Sequence, residues 1–235
     1  MALTVVSRGE PLEEVLKRLL HQAAAVGIRC RLLLLDRGFY SVGVIRYLQA
    51  AGHPFLMPVI CRDRQLDDPR GPSGTNVFLT WQSSGFGTYN LHDAQKRSAR
   101  VSICVKCRYH RGQWRRHGKQ RLIYAFRGFQ PPSFDWVRAT HRQRFAIETT
   151  YRQLHQARVR TTTRDPVRRL LHVGIALILR NVWVWLHQTV LARPRRGRRE
   201  IRWDLLRFRR MLLWLAHVVE QKLGVRDSVT IQLQI

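Results

Sequence analysis

The chain has 235 residues, 45% of them apolar, which is enough for a packed core and excludes global disorder. Lys and Arg number 42 against 15 Asp and Glu, a formal charge of +27. A surface that basic repels itself unless a polyanion neutralises it, so phosphate backbones are the expected partner, with a ribosome-type or an acidic-membrane binder as the plainer alternatives and nucleic acid of any kind ahead of membrane.

The start, MALTVVSRGEPLEE, lacks a basic region followed by an apolar one, so it does not read as a secretory signal. Cys30, Cys61, Cys104 and Cys107 are therefore expected to be reduced cytosolic thiols. Leu3 to Val6 is strand-like. Glu10 to Val26 reads as a helix, with Val15, Leu16, Leu19, Leu20 and Ala23 at helical spacing, acids in the first turn and Gly27 as the stop. Arg31 to Leu35 reads as a buried strand ending at Asp36, Tyr40 to Ala51 as a helix stopped by Gly52, and Pro54 to Val59 as a further strand. This alternation implies a sheet with crossover helices.

Residues 62–98 are rich in Gly, Pro, Ser, Asp and Asn and read as loops, with a weak strand over Val77 to Trp81. Ala99 to Arg108 and Arg121 to Phe126 alternate as a hairpin would. Ala94 to Phe134 contains eleven Lys and Arg and no acid, which makes 61–131 a basic β-rich insertion. Ser133 is placed to cap a long helix through about Arg158. Asp165-Pro166 is an N-cap and N1 pair for a second helix, to about Leu191. Within it, the apolar run Leu170 to Trp185 is interrupted by His172, Arg180 and Asn181 and falls short of a membrane span. Residues 193–200 read as a basic linker, and Ile201 to Leu223 as a third helix.

Two carboxylates stand apart. Asp36 is the only acid between Glu14 and Asp63, and Glu148 the only one between Asp135 and Asp165, among Arg138, Arg142, Arg144, Arg152 and Arg158. Open α/β sheets place ligand sites at the carboxyl ends of strands, where Asp36 is expected. A strand-end Asp and a helix Glu are the hard oxygen ligands that a two-metal phosphoryl-transfer site needs. The plainer readings are a turn or N-cap role for Asp36 and an ion pair with Arg144 or Arg152 for Glu148.

Asp36-Arg37-Gly38-Phe39-Tyr40 resembles the second-aspartate motif of insertion-sequence DNA transposases with a DDE-type site. His141-x2-Arg144-x3-Glu148-x6-His155 resembles their YREK signature, with His141 in place of Tyr and His155 in place of Lys. The resemblance runs from about Leu3 to Leu186. It implies an RNase H-like α/β fold: a mixed sheet with crossover helices, a β-rich basic insertion and a helical carboxy-terminal region. Residues 1–60 would be the first part of the catalytic core, 61–131 the insertion, 132–192 the core helices with the Glu motif, and 193–235 a basic linker and terminal helix.

The resemblance further implies metal-dependent cleavage and strand transfer at element ends. Asp36 and Glu148 would be catalytic ligands of Mg²⁺ or Mn²⁺, and Arg144, Arg152, His155, His141 and Arg37 would contact DNA. One face of a continuous helix would carry His141, Arg144, Glu148, Arg152 and His155. The implied partners are DNA ends and target DNA, with a homodimer on DNA and no membrane, in a prokaryotic cytosol near the nucleoid. The family's first Asp lies on a strand ahead of the first crossover helix. No Asp or Glu precedes Glu10 here, so the leading strands lack a counterpart and the chain alone is expected not to cleave DNA. The alternative is a non-catalytic basic DNA- or RNA-binding protein.

Three further features have two readings each. Cys104-x2-Cys107-x2-His110-x6-His117 has loose zinc-ribbon spacing, but on a regular strand the two cysteines face opposite ways. Trp183 and Trp185 are core residues or a base-stacking platform. The arginines of 193–210 belong to a solvated linker and helix face or to a phosphate-tracking patch.

Overall fold

The computed structural model describes residues 4–109, 118–159 and 161–224. The chain forms two compact units, Met1–Ala146 and Ile147–Ile235.

The first unit is a mixed five-stranded sheet between helices. Its strands are β1 (Leu33–Leu34), β2 (Phe55–Pro58), β3 (Gly85–His92), β4 (Ser98–Tyr109) and β5 (Lys119–Arg127). They lie in the order β1-β2-β5-β4-β3, with β1 and β2 parallel and the other pairs antiparallel. The β-rich segment thus continues the sheet begun by β1 and β2.

Strand alternation sorts the core into two layers. Phe55 and Met57 face a layer shared with Leu16 of helix α1 (Leu12–Ala25) and with Val44, Ile45 and Leu48 of α2 (Val42–Ala50). Leu56, Cys104, Tyr124 and Phe126 face the other layer, covered by Val137 of α3 (Phe134–Arg142). The expected hairpin is present as β4 and β5. Gly27, at φ +77°, ends α1, and Ser41 and Ser133 cap α2 and α3 by accepting from Val44 N and Trp136 N.

Several expectations need correction. Thr4 to Val6 is not a strand; no neighbour pairs with it, and Arg18 instead holds Thr4 Oγ1 and the Val5 carbonyl. Val77 to Trp81 is not a strand either, because Gly74–Thr80 is a 3-10 helix. The segment read as loop contains β3. There Trp81 lies so close to Gly85 and Gly87 that a Cβ would come within 2.6 and 3.2 Å of its ring. Those glycines depress strand propensity, yet they admit the indole.

The expected long helix from Ser133 is broken. A 3-10 turn, Gln143–Phe145, separates α3 from α4 (Ala146–Ala157). The predicted single helix is therefore two, with His141 on α3 and Glu148, Arg152 and His155 on α4.

The second unit contains α4, α5 (Pro166–Thr189), a hairpin of β6 (Arg193–Arg195) and β7 (Arg198–Glu200), and α6 (Phe208–Leu223). Asp165 caps α5 by accepting from Val167 N. The basic linker is thus a hairpin turning at Gly197, φ +75°. Trp183 is buried with Phe208 and Met211, and its Nε1 donates to the Leu206 carbonyl, as His187 Nε2 also does. Trp185, by contrast, is exposed. By length and composition α5 could cross a membrane, so the interrupted apolar run extends to a full 24-residue helix. Arg180 on that helix donates to Gln153 of α4.

Candidate functional site: a strand-end aspartate beside an arginine cleft

Asp36 lies two residues past the end of β1 and caps the 3-10 turn Arg37–Phe39, its Oδ1 accepting from Arg37 N at 2.7 Å. The turn role and a second role coexist. Arg144 Nη2 lies 3.6 Å from the same Oδ1, the arginine largely buried and the aspartate largely exposed. The two motifs therefore touch across more than a hundred positions of sequence.

His141 explains part of this approach. In the parallel pair, Leu33 N donates to Pro54 O and Leu35 N to Leu56 O. By that register, the next donor, owed to the Leu35 carbonyl, would be the backbone N of residue 58. Residue 58 is proline and has no N–H. His141 Nε2 supplies the missing donor, 3.3 Å from Leu35 O. A carbonyl only accepts, so this nitrogen carries the proton. The ring is buried against Tyr124. Burial holds the His141 pKa below its ordinary value of 6.5, with Arg144 acting the same way; the Leu35 hydrogen bond and Asp36 oppose them. His141 thus fixes the strand end that carries Asp36, its donor spent inside the fold.

Beside Asp36 opens a cleft of about 680 Å³. Arg37, Arg108, Arg121, Arg138 and Arg142 line it, with His141 and Tyr124, and among the described residues no carboxylate does. Arg121 is anchored by bonds from Nε to Trp81 O and from Nη1 to Lys119 O. Both acceptors are neutral carbonyls, so among the described residues no carboxylate offsets its charge. Among the described residues, the guanidinium groups of Arg37, Arg108, Arg138 and Arg142 meet no carboxylate or other acceptor. Five arginine charges around one concave surface give it a positive potential, which attracts anions.

In the second unit, Glu148, Arg152 and His155 all fall on α4. Arg152 and His155 are exposed, while the Glu148 side chain lies outside the described residues. His155 lines a cleft of about 550 Å³ with Arg158, Arg169 and His172.

No protein-family model matches the chain, and no curated protein matches its sequence.

Metal chemistry would begin at Asp36, whose exposed carboxylate can serve as one hard ligand. Among the described residues, no three His, Cys, Asp or Glu side chains gather as a metal site. His110 and His117 lie outside the described residues. Cys104 and Cys107 pack into opposite layers of the sheet, and burial pushes the Cys104 thiol up to about 12. A thiol so held is a poor zinc ligand.

Motif reading singled out Asp36, Arg37, His141 and Arg144. It missed Arg108, Arg121, Arg138 and Arg142 as a group, because β4, β5 and α3 bring them together only in the fold. The one local signal was the acid-free stretch from Ala94 to Phe134.

Proposed function

We propose that the chain belongs to the catalytic region of a DDE-type insertion-sequence transposase with an RNase H-like core, without the family's first aspartate and so without cleavage activity of its own. The observation that carries this reading is the contact of Arg144 with Asp36, since it joins the two motifs on which the resemblance rests. Two parallel strands linked through α2, with Asp36 at the carboxyl end of the first, agree with such a core. β1 is an edge strand among the described residues, so the sheet has room for the aspartate-bearing strand the reading calls for.

In this reading, Asp36 is one ligand of Mg²⁺ or Mn²⁺, and Glu148 is the second carboxylate the resemblance implies. Bound ions of this kind activate a water and stabilise the leaving oxygen. The chain's own groups do the rest. Arg144 holds Asp36 in place and keeps a positive charge beside it. His141 fixes the strand end. Arg37, next to Asp36 in sequence, lines the adjoining cleft, whose positive charge would draw in a scissile phosphate.

The genetic context tests the reading. A transposase gene is expected to lie between inverted repeats that mark the ends on which its product acts. Sequencing the flanking DNA should find such a pair, and flanks with no inverted repeat on either side would overturn the assignment.

A second reading, a non-catalytic nucleic-acid binder, is favoured by one observation. The cleft beside Asp36 has five arginines and, among the described residues, no carboxylate in its lining. A pure binder needs nothing more than phosphate contacts.

A further inference from the structure

We infer that the arginine cleft of the first unit is the groove that seats a DNA backbone, and that it delivers the strand to Asp36. The inference deepens the transposase reading by naming the surface that holds its substrate.

Three observations carry it. The first is charge. Arg37, Arg108, Arg138 and Arg142 make no internal ion pair among the described residues, and Arg121 bonds only to neutral carbonyls. Elsewhere in the same unit Arg18 pairs with Glu10, Arg70 with Asp68 and Arg97 with Asp93, while Arg46, Arg64 and Arg127 donate to backbone carbonyls; what sets the cleft apart is that five such guanidinium groups converge on one concave surface. Arginines brought together without a counter-charge repel one another, and an anion relieves that repulsion.

The second is placement. The five arginines come from four elements: the turn after β1, the end of β4, the start of β5 and α3. Charges spread over separate rigid elements can follow a row of phosphates, whereas a single bound ion needs only two or three at one point. Guanidinium forks also match phosphate oxygens two at a time.

The third is continuity with Asp36. Arg37 adjoins Asp36 in sequence, and His141 both lines the cleft and bonds to Leu35 O. A strand lying in the cleft therefore runs past the carboxylate.

The probe is a fluorescein-labelled DNA duplex, with binding followed by anisotropy over a salt series. The full chain is compared with Arg138→Gln/Arg142→Gln and with Arg37→Gln/Arg108→Gln. The control is Arg29→Gln/Arg31→Gln, which removes the same charge from exposed residues before β1, at the strand end away from Asp36. Circular dichroism establishes that each variant is folded, and either cleft pair alone suffices if the other fails to fold.

Each phosphate contact contributes about 0.9 to the slope of log K against log salt. Each cleft pair should therefore flatten that slope by about 2 and weaken binding about tenfold or more, with a much smaller change in the control. Equal losses in control and cleft pairs would overturn the proposal in favour of a diffuse field. No loss in the cleft pairs would overturn it outright. An RNA hairpin that depends on the cleft while the DNA duplex does not would also overturn it. So would tripolyphosphate binding that depends on the cleft while DNA binding does not, since the ligand would then be a free phosphate compound. None of these failures affects the inverted-repeat test, and absent repeats would leave a cleft-dependent DNA affinity intact.

Discussion

His141→Phe is expected to destabilise the first unit by about 1–3 kcal/mol, and a second substitution, Pro58→Val, is expected to recover much of that loss. Phenylalanine keeps an aromatic ring against Tyr124 but strips the Leu35 carbonyl of its donor. A buried acceptor left unpaired costs more than the hydrogen bond is worth in water. Valine at position 58 restores the backbone N–H that the parallel ladder lacks there, so the carbonyl regains a partner from within the sheet. Urea unfolding of the four proteins of this cycle gives the coupling between the two sites directly. Additive effects would show that His141 does not substitute for the missing ladder donor.

The same residue sets a pH dependence. His141 has a folded pKa depressed below 6.5, chiefly by burial. Below that ordinary value the unfolded chain takes up a proton that the folded chain resists. Its contribution is therefore complete above pH 6.5 and is lost as pH falls through the folded pKa. The stability difference between wild type and His141→Phe should shrink over that acid range.

The larger loss is expected at Phe55. It is fully buried on β2, between β1 and β5, and packs into the layer formed with α1 and α2. Phe55→Ala should cost about 3–5 kcal/mol, from lost transfer energy and from the cavity left under two helices. Phe55→Leu, which keeps most of the volume, should cost under about 1.5 kcal/mol. Domains of this size are stable by roughly 5–15 kcal/mol, so the alanine variant sits near the limit of folding. Chemical denaturation followed by circular dichroism separates the two variants; an alanine cost below the leucine cost would mean the residue is not the packing centre described.

Features with local causes were legible in the sequence. Gly27 ends α1, and Ser133 and Asp165 start α3 and α5, because caps depend on one residue and its immediate neighbours. Features with distant causes were not. β3 was hidden because Gly85 and Gly87 lower strand propensity, and their purpose, room for Trp81, appears only once the strand is folded. The break at Gln143–Phe145 has no proline or glycine to announce it. There, His141 at the end of α3 is tied to Leu35 O, and Arg144 in the turn itself to Asp36. For the site, Asp36 and Arg144 were readable as motif members, whereas the cleft arginines belong to no motif. The role of His141 depends on a proline eighty-three positions earlier, at residue 58.

The most direct measurement is Mn²⁺ binding by electron paramagnetic resonance, made on the full chain with duplex DNA present to supply phosphate ligands. The comparison is between wild type, Asp36→Asn and Asp135→Asn, the last removing an acid paired with Lys106. If Asp36 is a metal ligand of a phosphoryl-transfer site, Asp36→Asn should lower Mn²⁺ affinity about tenfold or more, with Asp135→Asn and metal-free DNA binding unchanged. Equal Mn²⁺ affinity in wild type and Asp36→Asn would contradict the assignment and leave the chain a basic DNA-binding protein.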